Sequence, residues 1–134
     1  MEVLEIEKAF NEIIARRNEL AILDYNADNY DDLEDELHDL EDDFNEEFGE
    51  YLEDLLGDIH EELILESEVL LPTAYILQKY VSEGKGYDLS PEDGVFVELD
   101  DYPNCNTRIL FLPEPLRLVF AIEGAISKEW EIKQ

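Results

Sequence analysis

At 134 residues and 45% hydrophobic composition, the chain has the length of one domain and too many apolar side chains for a disordered segment. Its formal charge of −28, from 37 acids against 9 bases, repels phosphate backbones and anionic lipid, which argues against direct nucleic-acid binding and against a membrane surface. Cys105 is the one cysteine, so no intrachain disulfide forms; no apolar run nears the roughly 20 residues of a membrane span, Met1–Glu5 lacks the features of a signal peptide, and the expected location is cytoplasmic.

The first element is a helix. Val3, Ile6, Phe10, Ile13, Arg17 and Leu20 recur at alternating spacings of three and four, and Leu4, Ile14 and Leu23 widen the stripe. This spacing predicts a helix over Glu2–Asp24, with Arg17 on its apolar side and within reach of carboxylates of the acidic second helix that follows. Arg16 and Lys8 are the other local bases.

Asn26-Ala27-Asp28-Asn29 then offers turn and N-cap chemistry. The segment from Asp24 to Asp35 also sets oxygen-bearing side chains, Asp24, Asn26, Asp28, Asp32 and Asp35, at positions 1, 3, 5, 9 and 12 of an EF-hand-like loop, a ligand set suited to calcium. Position 6 is Asn29 rather than Gly, position 8 is Asp31 rather than an apolar residue, and position 12 is the shorter Asp35. A plain inter-helix turn is the competing reading.

Between Arg17 and Lys79 the chain has no basic residue and 22 acids. Residues 1–78 carry a net −23 and residues 79–134 a net −5, too lopsided for uniform salt adaptation. Leu33, Leu37, Leu40, Phe44, Phe48, Leu52, Leu55, Ile59 and Leu63 recur through the run at helical spacing, so it reads as a long acidic amphipathic helix ending near Glu66. A short connection makes it the antiparallel neighbour of the first helix. At ~1.5 Å per residue the second helix outreaches the first, roughly 55 Å against 35 Å. Its far part, from Tyr51 and Leu52 through Leu55, Leu56, Ile59 and Leu63 to Ile64 and Leu65, therefore needs cover from the carboxyl-terminal half or from a second subunit. Gly57 precedes Asp58-Ile59-His60-Glu61, which resembles a capping box, so a break there and continuity are both open.

Eleven like-charge i,i+4 pairs follow one another along this helix, from Asp31/Asp35 to Glu62/Glu66. At ~0.2–0.5 kcal/mol each they cost on the order of 2–5 kcal/mol at low salt. The outward acids Asp39, Asp42, Asp43, Glu46, Glu47, Glu50 and Asp54 form the candidate partner-binding face. His38 and His60 read as solvated histidines among carboxylates. Asp35-x-x-His38 resembles half of a carboxylate-bridged two-metal site, but Gly57 stands where the second half needs an acid.

After Leu71 the texture changes. Pro72 and Gly84 bracket a short helix over Thr73–Glu83, with a strand as the alternative. From Gly94 the period becomes two, predicting strands Val95–Leu99, Arg108–Leu112, Leu116–Ile122 and Lys128–Ile132, joined by Asp100–Thr107, Pro113-Glu114-Pro115 and Glu123–Ser127. Tyr75, Tyr80, Phe96, Phe111, Phe120 and Trp130 read as core and sheet-face residues. The expected class is α+β in a single domain. Residues 1–66 form an acidic helical hairpin; residues 67–134 form a short helix and a four-stranded antiparallel meander, with one sheet face covered by helix.

No phosphate-cradling loop, zinc-protease motif or nucleophile elbow is present, and the acidic surroundings of Cys105 disfavour its thiolate. The expectation is a non-enzymatic protein that uses its acidic helical face to dock a basic protein or to self-associate, possible homodimers included. Two alternatives stand beside it: a DNA mimic or antitoxin- or immunity-type neutraliser of a basic protein, and a calcium-binding protein using the Asp24–Asp35 loop.

Overall fold

The computed structural model describes residues 3–24, 26, 28–63, 65, 68–77, 80, 82–83, 86–87, 89–113 and 116–132. In chain order the elements are α1 (Val3–Ile22), α2 (Tyr30–Leu63), a 3₁₀ turn (Pro72–Tyr75), β1 (Ser82–Glu83), β2 (Gly86–Tyr87), β3 (Val95–Phe96), β4 (Thr107–Leu112), β5 (Arg117–Ile122) and β6 (Ala125–Glu131). The fold is α+β: a helical hairpin followed by a four-stranded antiparallel sheet in the order β3-β4-β5-β6.

α1 buries Ile6, Phe10, Ile13 and Arg17, the stripe its spacing predicts, while Leu4 at its start is 75% exposed and lies off the core. α2 buries Leu37, Phe44, Phe48, Leu52, Leu56, Ile59 and Leu63. It runs unbroken through Gly49 and Gly57, which settles the Gly57 question in favour of continuity. The helix closes when the Leu65 N–H donates to the His60 carbonyl at 2.9 Å, the six-to-one bond common at helix ends. The expected end at Glu66 lies outside the described residues. Leu52, Leu56 and Ile59 are buried to 1% or less within the single chain, so the far half of α2 needs no second subunit to cover it.

The short helix expected over Thr73–Glu83 is a four-residue 3₁₀ turn instead, opened by Pro72 and closed by Ile76 N–H to Thr73 O at 3.2 Å. Ser82–Glu83 then pairs with Gly86–Tyr87 as a small antiparallel hairpin, which the expected helix had occupied. The Gly84 end-signal lies outside the described residues.

In the larger sheet the register sets Ile109 opposite Phe120, Leu110 opposite Val119 and Phe111 opposite Leu118. Successive side chains point to opposite faces, so Ile109, Phe111, Leu118 and Phe120 share one face. That face meets the helices, because the Phe111 ring stands 5.5 Å from the Phe10 ring of α1 in edge-on contact. The opposite face is buried too: Leu110, Leu112, Val119 and Ala121 are each at most 2% exposed. The expected helix cover of one face is thus joined, at the two central strands, by burial of the other face as well. The segment before β3 contributes to that cover, since a Cβ on Gly94, whose φ is +98°, would stand 2.8 Å from Ile109 O and 3.1 Å from Leu110 Cβ.

β6 begins at Ala125, three residues before the expected Lys128, because Glu123 (φ 51°) and Gly124 (φ 81°) form a two-residue turn of the primed kind between paired Ile122 and Ala125. A register shift restores the rest of the strand: Lys128 faces Phe120 while Ile126 faces Ala121, which leaves Ser127 as a bulge residue. β3 is shorter than the expected Val95–Leu99, although Val97 N–H still bonds Thr107 O at 2.9 Å. Phe96 is 50% exposed rather than core. Glu114 and Pro115 of the expected turn lie outside the described residues.

Candidate partner-docking face

Every acid of the expected docking face, Asp39, Asp42, Asp43, Glu46, Glu47, Glu50 and Asp54, is solvent-exposed. The seven fall within an arc of roughly 140° about the α2 axis and along roughly 22 Å of its length. They lie opposite the buried line through Phe44, Phe48 and Leu52, and the same helical repeat that hides those rings sets the carboxylates together. Among the described residues none of the seven enters an ion pair. Three other acids of α2 do: Glu36 with Arg16 at 3.6 Å, Glu41 with Arg17 at 2.9 Å, and Glu62 with Lys128 of β6 at 3.7 Å. The described bases thus neutralise the flanks of α2 and leave its outward stripe unopposed.

The stripe is held rigid from beneath. Arg17 is 7% exposed and donates to Glu41 Oε1 from Nη2 and from Nε, the latter at 3.1 Å. Its Nη1 donates to Ile76 O at 2.5 Å and to Leu77 O at 3.2 Å, and its Nη2 to Thr73 O at 3.4 Å. One guanidinium therefore ties α1, α2 and the strand-like segment after the 3₁₀ turn. Its planar fork of five donors is what lets it serve three carbonyls and a carboxylate at once. Asn45 adds a second clamp from α2, donating from Nδ2 to Thr73 Oγ1 at 3.0 Å and accepting the Thr73 N–H at 3.4 Å. Asn45 was not singled out by sequence; its signal is an amide within an acid run, beside two buried phenylalanines. Tyr80 completes the connection by donating to Phe111 O of β4 at 2.8 Å and accepting the Leu77 N–H at 3.1 Å. Tyr75 accepts the Leu70 N–H at 3.1 Å, and burial pushes its phenol above the ordinary value of 10.0.

The proposed calcium-loop residues are distributed differently. Asp24 Oδ1 accepts the Asn26 N–H at 3.0 Å, a local turn of the Asx kind. α2 already begins at Tyr30, so Asp32 and Asp35 are helical and exposed, and Asp28 sits in the preceding turn. Among the described residues no three Asp, Glu, His or Cys side chains are grouped to hold a metal ion.

His38 is exposed, as expected, and lines a cleft of about 390 Å³ between the helices with Arg17, Tyr30, Glu34 and Glu41. His60 is not the solvated histidine its neighbours suggest: it is 6% exposed, on the core side of α2 next to Ile59. Its backbone carbonyl accepts the bond that closes the helix. Cys105 is half-buried in the β3–β4 loop beside Phe96 and Tyr102. In the turn before β3 the Ser90 hydroxyl donates to Glu92 Oε2 at 2.5 Å and holds that carboxyl below the usual carboxylate value.

No helix among the described residues is long and apolar enough to cross a membrane. No family model, curated protein or solved structure matches the chain.

Proposed function

We propose that this protein is a non-enzymatic interaction module that docks a basic protein partner on the acidic stripe of α2. The observation that supports the reading is the row of seven exposed carboxylates, none ion-paired among the described residues, on a helix held from behind by Arg17 and Asn45. A rigid one-signed surface raises the rate of encounter with an oppositely charged partner and rejects like-charged ones. A cytoplasmic location belongs to the same proposal, in keeping with a chain that has a single cysteine.

The test separates a patterned surface from bulk charge. One variant neutralises four stripe acids, Asp42→Asn, Asp43→Asn, Glu46→Gln and Glu47→Gln. A second neutralises four exposed acids elsewhere, Glu12→Gln, Glu98→Gln, Asp100→Asn and Asp101→Asn. Binding of poly-L-lysine is then measured by titration calorimetry at physiological ionic strength. Weakening by the first variant alone supports the stripe; equal weakening by both means that only net charge matters and the proposal fails. Duplex DNA that competes for a cognate basic partner would assign that partner to the nucleic-acid-binding class.

A further inference from the structure

We propose that the groove between α1 and α2 takes a basic amphipathic helix of a partner protein. The apolar side of that helix lies on Leu70, Leu71 and Ala74, and its lysines or arginines lie on acids of α2. This rests on the reading of the partner as a basic protein and adds which of its segments binds, and where. Two clefts meet at Arg17, which lines both. One, of about 390 Å³, runs toward the hairpin turn between Leu20 and Ala21 of α1 and Glu34 and His38 of α2. The other, of about 490 Å³, has walls from Leu70, Leu71, Thr73, Ala74 and Ile76. The groove is thus acidic at one end and apolar at the other.

The apolar end is open. Leu70 and Leu71 are 45% and 57% exposed, and the Ala74 N–H bonds Leu71 O at 2.9 Å, which sets exposed Ala74 beside Leu71 across one 3₁₀ turn. Acids frame this end. Thr73 Oγ1 accepts from Asn45 Nδ2 at 3.0 Å, and Asp42 stands one helical turn before Asn45, about 5–6 Å away at Cβ. Asp31, Asp35, Asp42 and Glu46, all exposed, follow one another at spacings of four, seven and four. They form a straight row within an arc of roughly 60° on the flank of α2 next to Asn45.

Neither Glu34 nor any acid of that row enters an ion pair among the described residues. Arg17 is the one base among the described residues that lines either cleft, and it is 7% exposed and engaged by Glu41 and three carbonyls. An apolar floor beside uncompensated carboxylates complements a segment that is apolar on one side and cationic next to it. A second copy of this chain would bring further acids against the same row. The row also sets the form of the occupant: a helix laid along α2 presents cations at i, i+4 and i+11, the period at which these acids recur. From Asp31 to Asn45 the groove runs about 21 Å at ~1.5 Å per residue, the length of a helix of about 14 residues.

The probe is a fluorescein-labelled peptide of that length, Leu-Lys-Lys-Leu-Leu-Lys-Leu written twice, which gathers its leucines on one side as a helix. A second peptide has the same composition, reordered so that leucines fall on every side. Anisotropy titrations use the whole chain at about 0.15 M NaCl. The amphipathic peptide is expected to bind at least about tenfold tighter than the reordered one. Leu70→Ser with Leu71→Ser abolishes that advantage, and Asp31→Asn with Glu34→Gln and Asp35→Asn weakens the amphipathic peptide by about tenfold. Leu4→Ser, which alters an exposed leucine away from the groove, leaves its binding unchanged. Far-UV circular dichroism checks that each variant keeps its helices. Equal binding of the two peptides overturns the proposal, as does a loss from Leu4→Ser as large as that from the Leu70 and Leu71 pair. Poly-L-lysine tests the stripe by itself. Its loss on the stripe variant together with equal binding of the two peptides overturns the groove and keeps the stripe; the reverse result keeps the groove and overturns the stripe.

Discussion

Arg17 of α1 and Glu41 of α2 meet at 2.9 Å, with the guanidinium 7% exposed and the carboxylate 22%. The same guanidinium satisfies the carbonyls of Thr73, Ile76 and Leu77, so the pair is the place where hairpin and carboxyl-terminal half are joined. Arg17→Met leaves those buried acceptors without their donor and strands a carboxylate. The expected loss is about 3–5 kcal/mol in urea unfolding. Glu41→Gln keeps all three carbonyl bonds and one oxygen acceptor but removes the counter-charge of the buried guanidinium, and should cost less, about 1.5–3 kcal/mol. Equal losses from the two substitutions would contradict the central place given to the carbonyl bonds.

Two glycines should respond in opposite directions to alanine. Gly57 lies within α2, and a Cβ added there would have no atom within 4 Å, so Gly57→Ala is expected to stabilise by about 0.5–1 kcal/mol through helix propensity. Gly94 has a φ of +98° and its Cβ would press on Ile109 O and Leu110. Gly94→Ala should destabilise by roughly 2 kcal/mol or more, from strain and from displacement of buried strand β4. Thermal melts of both variants decide the signs.

Tyr75 gives the fold an alkaline limit. Burial raises its phenol pKa above 10.0 in the folded chain, so between that value and the folded pKa the unfolded state loses its proton while the native state keeps it. Stability from this group is fully present below about pH 10 and falls as pH rises beyond it. In urea titrations above pH 10, Tyr75→Phe should lose stability less steeply than the wild type. The substitution has its own cost at neutral pH, because the Leu70 N–H loses its acceptor.

The outward stripe of α2 destabilises its own helix. Neutralising Asp42, Asp43, Glu46 and Glu47 removes the like-charge pairs 39/43, 42/46, 43/47 and 46/50, and should raise stability by about 1–2 kcal/mol at low ionic strength. Salt should do the same for the wild type: its melting temperature rises between low and moderate ionic strength, and the variant's rises less. A melting temperature that is flat with salt in the wild type would contradict the cost assigned to the stripe. Retention of so costly a pattern on one face is the physical reason to seek a partner there.

Periodicity alone determined the helical hairpin, the antiparallel meander and the exposed acids from Asp39 to Asp54, because each depends on which residues recur at 3.6 or at 2. The position of Arg17 on the apolar stripe foretold a bond to α2, since a charge placed there must find a counter-charge. Three things lay beyond any local pattern. His60 sits among acids in the chain but on the core side of α2 in space, and only the packed helix distinguishes the two. The segment after Pro72 forms one 3₁₀ turn because its carbonyls are taken by Arg17 and its Thr73 by Asn45, partners 56 and 28 residues away. The central strands β4 and β5 are buried on both faces while β6 is largely exposed, and the segment at Gly94 lies against Leu110 on the second face; alternation within a strand cannot report what another part of the chain supplies. Local sequence decided which surfaces exist; tertiary contacts decided which of them remain open to a partner.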